Sequence, residues 1–172
     1  SEILKKLTLN PTVEDDFIDR DLTIVGYVNE IIKSFRETSK KFFITNFDQF
    51  SNPLTFTKSM EIVYGLRNFI GNANKFSKSK VFIMIRSNND TTEIVIEDDG
   101  EGYPNDVLKI IGEPYIKSYK SSIKSKSGLG LGIFIGKTLL EKNYAKILCR
   151  NSKTRSGAEI SIKWNNKDLS NL

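Results

Sequence analysis

Histidine is absent from these 172 residues, and cysteine occurs once, as Cys149. The missing imidazole excludes Ser-His-Asp and Cys-His catalysis within the chain. Together the two scarcities exclude a zinc site built from His and Cys, and a disulfide framework. A metal here must be held by oxygen ligands, which points to Mg²⁺ or Ca²⁺. Long apolar runs are also missing, so no membrane span or signal peptide is visible. The chain begins Ser1-Glu2-Ile3-Leu4 without Met, as a fragment or a processed chain would. Lys and Arg number 26 against 21 Asp and Glu, for a net charge of +5 and a pI near 9.2. That balance suits a polyanionic ligand or an acidic partner. The basic residues are scattered with no aromatic stacking platform, which argues against nucleic acid.

What is present is an ordinary globular composition, 38% hydrophobic and 27% charged, enough for one domain with a real core. Residues 1–9 read as the end of a helix, and 10–21, with Pro11 and an acidic cluster, as a linker. Helical spacing of Ile24, Val28, Ile31, Ile32 and Phe35 predicts a helix over 22–37. A strand at 42–44 and a turn at Asn52-Pro53 follow. A second helix spans 58–76, with Thr57 or Ser59 as its N-cap. Strands at 80–86 and 92–98 form a hairpin through Asn88-Asn89-Asp90. A short helix over 104–111 opens on Pro104, and the Lys/Ser-rich 115–127 reads as a loop. A helix over 129–142 precedes strands at 144–150 and 157–164. In the last strand Ala158, Ile160, Ile162 and Trp164 alternate onto one face. The fold class is α+β: a two-layer sandwich with a mixed sheet of about five strands and helices on one face.

Three patches could carry chemistry. On the 58–76 helix, Asn68, Asn72 and Lys75 form a polar stripe roughly 130° from the apolar one. Asn carbonyls are hard oxygen ligands and Lys suits phosphate, although a solvated polar face would look the same. Gly65 lies near this seam and leaves room for a ligand. The second patch ends an apolar strand in Asp98, followed by Gly100 and Gly102. A carboxylate held there only accepts hydrogen bonds, so it fits an exocyclic amine; a simple Asx turn is the alternative. In the third, Gly128, Gly130 and Gly132 alternate with Leu129 and Leu131 at a helix start, where free N–H groups favour an anion. Lys117, Lys120, Lys124 and Lys126 precede it in a loop that could close over phosphates. Cys149, between apolar neighbours, reads as a packing residue.

In order, Asn68-x-x-x-Asn72-Ala73-x-Lys75-Phe76-Ser77, Asp98-x-Gly100-x-Gly102, Glu113-Pro114-Tyr115 and Gly128-Leu129-Gly130-Leu131-Gly132 resemble the four nucleotide-binding boxes of the histidine kinase catalytic domain. This is the Bergerat ATPase superfamily shared with gyrase and MutL. Residues 2–8, 111–115 and 132–141 are further similar to RegB/PrrB-type redox sensor kinases. The resemblance implies a Bergerat fold over 22–172, with 1–9 the remnant of a dimerisation helix. It implies ATP and Mg²⁺ as ligands. Asp98 would take the adenine amine above Gly100 and Gly102, Asn72 would hold Mg²⁺, Lys75 would contact phosphate, and Asn68 would line the γ-phosphate region. Gly128 to Gly132 would present backbone N–H groups to phosphate, Tyr115 would fill the hydrophobic box position, and Lys117 would belong to the lid.

The departures are informative too. Asn68 stands where hydrolysing members carry a water-activating Glu, which favours transfer over hydrolysis. Gly71 replaces a commonly polar residue and Tyr103 a commonly aliphatic one. No phosphoacceptor His exists in this chain. The implied partners are therefore a His-bearing dimerisation domain of the same protein and a response regulator. This portion is expected to be mainly monomeric, the whole protein a homodimer, and the location cytoplasmic, with an inner-membrane anchor open for the full-length protein. A nucleotide-gated interaction module of the same superfamily is the alternative function.

Overall fold

The computed structural model describes residues 22–49, 55–56, 59–111 and 129–170. The element order is β1 (Leu22–Thr23), α1 (Ile24–Arg36), β2 (Phe42–Gln49), β3 (Thr55–Phe56), α2 (Met60–Phe76), β4 (Lys80–Ser87), β5 (Thr91–Asp98), α3 (Asn105–Ile111), α4 (Leu129–Lys142), β6 (Lys146–Asn151), β7 (Ala158–Asn165) and α5 (Asn166–Ser170). A five-stranded sheet runs β2-β4-β5-β7-β6. Its β2–β4 pair is parallel and the remaining pairs are antiparallel. The sheet is therefore mixed, as expected.

Alternation builds the buried face. Val81, Ile83 and Ile85 of β4 sit beside Ile94 and Ile96 of β5, which in turn sit beside Ile160 and Ile162 of β7; with Trp164 of β7 all are nearly free of solvent. Against them pack Ile62, Leu66, Phe69 and Ile70 of α2 and Val28, Ile31 and Ile32 of α1. The indole of Trp164 donates to the Asn143 carbonyl at 3.1 Å, so its polar edge is satisfied inside the core. On the other face charged and polar side chains are laced together. Arg155 lies over the Phe82 ring at 3.6 Å and within 3.6 Å of Glu97, and Ser161 Oγ donates to Glu93.

Caps define the helices. Thr23 Oγ1 accepts from Gly26 N at the start of α1, and Ser59 Oγ accepts from Ile62 N at the start of α2. Helix α3 begins at Asn105, one residue after Pro104, whose carbonyl accepts from Leu108 N. Helix α4 ends because Tyr144 turns to φ 69°, with Ala145 N donating back to Leu140 O. That closure moves the start of β6 from the expected 144 to Lys146.

Gly65 requires a correction. It opens onto α4, not onto a ligand: a Cβ there would lie 2.6 Å from Leu140 Cγ and 3.3 Å from the Gly136 carbonyl. Gly136 in turn leaves room for the Phe69 ring, where a Cβ would lie 2.8 Å from Cε2. These two glycines set how closely α2 and α4 pack, and that packing carries the start of α4 to the site.

Candidate nucleotide site

At the C-terminal ends of α2 and β5 lies a cleft of about 370 Å³. Phe69, Ala73, Phe76, Ile96, Tyr103 and Ile160 give it apolar walls, and Asp98, Gly100 and Gly102 form its floor. The pattern is the one expected of a small-molecule pocket: mostly apolar, with a few convergent polar groups.

Asp98 is 4% exposed. It faces inward because β5 alternates, and Asp98 falls in register with Ile94 and Ile96 on the covered face. Its Oδ1 accepts from Gly100 N at 2.8 Å and from Ala158 N at 3.4 Å. Burial raises its pKa; the Gly100 and Ala158 N–H groups pull the other way, the neighbouring Asp99 raises it further and Lys41 lowers it. The net shift is upward. Both of those contacts fall on Oδ1, which leaves the second carboxylate oxygen as the acceptor for a donor from the cleft.

The turn below it is pinned from two sides. Gly102 takes φ +82°, a conformation glycine adopts without strain, and the Asn151 amide brackets the next residue. Asn151 Oδ1 accepts from Tyr103 N at 2.6 Å while its Nδ2 donates to Tyr103 O at 3.1 Å. Asp99 anchors the same corner to the α2–β4 connection. Its Oδ1 accepts from the backbone N–H groups of Lys78, Ser79 and Lys80 at 2.9 to 3.1 Å, and Oδ2 accepts from Ser79 Oγ. Burial alone would raise its pKa, but those donors outweigh it and bring the carboxyl down to about 2. A depressed carboxylate pKa contributes stability above its unfolded value near 4, and loses it as pH falls toward 2. Asp99→Asn is therefore expected to lower the melting temperature at pH 7, with the gap to wild type closing between pH 4 and pH 2. A pH-independent gap in thermal melts would contradict it.

A second cleft lies on the other side of α2, lined by Phe35, Tyr64, Arg67, Asn68, Gly71, Asn72 and Lys75. The polar stripe read from the sequence is thus real as a surface. Asn72 belongs to both clefts. Its Nδ2 is buried and has no hydrogen-bond partner among the described residues. Gly132 lies directly against the amide: a Cβ there would sit 2.9 Å from both Nδ2 and Oδ1. Asn68 Nδ2 donates to the Tyr64 carbonyl at 2.8 Å, which holds its side chain along the helix. Lys75 Nζ lies 5.2 Å from the Phe76 ring centroid.

The structure brings together Asn72, Asp98, Gly100 and Gly102 in one cleft, and Asn68, Asn72 and Lys75 in the other. Leu129, Gly130, Leu131 and Gly132 form the first turn of α4, where backbone N–H groups have no helical partner. Tyr115, Lys117 and Gly128 lie outside the described residues. The sequence reading missed Ala158, Gly157 and Asn151. The pair of small residues Gly157-Ala158 at the head of β7 was the available signal. Cys149 packs against the core, and burial pushes its thiol up to about 12. Among the described residues no group of three or more His, Cys, Asp or Glu could hold a metal, and no helix is long and apolar enough to cross a membrane.

An apolar cleft floored by a buried carboxylate, under a mixed sheet and beside a glycine-opened helix, defines a nucleotide-binding α+β sandwich. Residues 57–168 match the family of histidine kinase-, DNA gyrase B- and HSP90-like ATPases, and the chain belongs to that family. It is an ATP-binding domain of the sensor histidine kinase catalytic type. It is 37% identical over 120 residues to the sensor histidine kinase RegB of Cereibacter sphaeroides, covering 60% of this chain and 26% of that protein. The chain thus spans about a quarter of the length of that relative. The expected likeness to RegB-type kinases is borne out. Among solved structures, the catalytic domain of histidine kinase ThkA superposes with a TM-score of 0.66 at 18% identity, covering 86% of this chain and 97% of that one. Full-length ShkA in complex with AMPPNP gives 0.63 at 19% identity, covering 84% and 30%. These last two likenesses carry the fold.

Proposed function

We propose that the domain binds Mg-ATP with its base in the apolar cleft, and donates the γ-phosphoryl group to a histidine on another domain of its own protein. The observation that carries this reading is Asp98, a buried carboxylate with unspent acceptor capacity facing an apolar slot. An adenine amine donates to Asp98 while Phe69, Ile96, Tyr103 and Ile160 enclose the ring. The phosphates then run along α2 toward Asn72 and Lys75, and meet the N–H groups of Gly128, Leu129, Gly130, Leu131 and Gly132. By the family resemblance Tyr115 and Lys117 would also contact the nucleotide.

The residues fit one Mg²⁺. The Asn72 amide is buried at the junction of the clefts, and among the described residues nothing accepts from its Nδ2, so that N–H group would donate to a phosphate oxygen while Oδ1 would be the hard oxygen ligand for the ion. Bound there, the ion supplies charge neutralisation to the phosphates. The protein's own share is positioning. Asn68 lines the γ-phosphate region and, being an amide tied to Tyr64, cannot deprotonate water. Transfer to a protein acceptor is thereby favoured over hydrolysis. The acceptor must come from outside, because the chain has no His. A dimerisation domain preceding it, with residues 1–9 as the end of its helix and 10–21 as the link, supplies that histidine. A response regulator then receives the phosphoryl group. The domain is mainly monomeric alone, the whole protein a homodimer, and the domain works on the cytoplasmic side.

Calorimetry with Mg-ATP tests the reading: the chain is expected to bind, to hydrolyse ATP only slowly, and to phosphorylate a His-bearing dimerisation domain supplied in trans. No binding at millimolar nucleotide would overturn it. Binding without phosphohistidine would leave only the nucleotide site standing.

A further inference from the structure

The second cleft contains a cation that none of the assigned roles uses. Arg67, Gly71 and Lys75 follow one another at four-residue spacing on α2, so they lie on one side of the helix over about 12 Å of its length. Among the described residues no carboxylate lines this cleft. Among the described residues, neither Arg67 nor Lys75 has a carboxylate within ion-pair distance. Three other cations around α1 and α2 are engaged: Arg36 donates to the Phe43 carbonyl, Lys41 to that of Ser77, and Lys142 pairs with Glu61. The Arg67 guanidinium is instead laid over the Phe35 ring, 5.4 Å from its centroid, which fixes it at the rim without consuming its charge. Gly71 keeps the floor between the two cations low, since a Cβ there would meet only the Phe35 ring, at 3.3 Å. At the inner end stands Asn72, the residue shared with the base cleft.

We infer that Arg67 is a specificity residue for the terminal phosphate: the gutter it forms with Gly71 and Lys75 takes the γ-phosphate, so Arg67 makes the site distinguish ATP from ADP. This rests on the nucleotide reading above. A phosphate emerging past Asn72 enters a groove with two cations that no carboxylate among the described residues compensates, and a guanidinium fork matches two phosphate oxygens at once. A diphosphate ends before it reaches that groove.

The test is calorimetric, on the whole chain with Mg²⁺, comparing ATP and ADP for wild type, Arg67→Gln and Arg67→Lys. Arg67→Gln is expected to weaken ATP about tenfold, the scale of one charge-assisted hydrogen bond, while ADP changes less than twofold. Arg67→Lys keeps the charge and should retain more of the discrimination. It also keeps the proposal testable if losing the Phe35 stack unfolds the Gln variant. Equal weakening of both nucleotides, no change in either, or identical losses in the two variants would overturn the inference. If wild type binds neither nucleotide, the site itself is misread, and that outcome is distinct from a variant that binds both alike.

Discussion

Replacing Asp98 with Asn is expected to weaken adenine nucleotide binding by between about tenfold and a hundredfold, with little change in fold. The magnitude is that of one charge-assisted hydrogen bond, about 1.5–3 kcal/mol. The geometry puts the loss toward the upper end. In the free protein Asp98 Oδ1 already accepts from Gly100 N and Ala158 N. An amide at this position must turn its single oxygen toward those N–H groups or toward the ligand's amine. Either choice sets one NH₂ against another donor at a buried position, where an unmatched polar group is costly. A carboxylate avoids the conflict because both oxygens accept. Calorimetry with Mg-ATP checks the affinity, and a thermal melt checks that the fold survives. An unchanged dissociation constant would remove Asp98 from base recognition.

Elements whose signals are local were legible in the sequence. Helices α1, α2 and α4 follow from apolar spacing, the β4–β5 hairpin from its Asn-Asn-Asp turn, and the inward face of β7 from strict alternation. Asp98, Gly100 and Gly102 were legible for the same reason: a carboxylate closing an apolar strand, followed by spaced glycines, carries its chemistry in residue types. What the sequence could not show are the facing partners. Ala158 reaches Asp98 across 60 residues of chain, and Asn151 reaches Tyr103 across 48. Gly65 was placed at the correct angle on α2, yet the angle does not reveal that Leu140 fills the space opposite. Strand β2 runs on to Gln49, beyond its apolar start at 42–44, because the parallel partner β4 supplies its register. The short β1–β3 pair and α5 carry too few residues for any period to register. Asn72 was singled out for its oxygen, while its position between two clefts is a property of the packed helices.

Gly157→Ala tests the least visible of those facing contacts, and it should be among the most damaging small substitutions in the chain. A Cβ at Gly157 would overlap the backbone carbonyl and the Oδ1 of Asp98. A long side chain can swing away from an intruding methyl, but the backbone carbonyl of Asp98, a strand residue paired with Val81 in the β4–β5 ladder, cannot. The turn that carries Gly157 is also fixed. Ser152 N donates to the Gly157 carbonyl at 2.7 Å, Ser152 Oγ donates to Glu97 at 2.8 Å, and the neighbouring Ser156 already sits at φ 64°. Overpacking costs about 1–3 kcal/mol where neighbours can adjust, so about 3 kcal/mol is expected here. For a domain of this size that corresponds to a fall of roughly 6–12 °C in melting temperature. The displaced carboxylate should take nucleotide affinity with it, so the folded fraction binds Mg-ATP more weakly at temperatures well below the melt. Gly71→Ala provides the contrast. Its added methyl meets only the rim of Phe35, and Ala favours a helix interior by about 1 kcal/mol over Gly, so its melting temperature should hold or rise. If Gly157→Ala melts with wild type and binds nucleotide equally well, the head of β7 does not support Asp98, and the floor of the cleft is held by Gly100 alone.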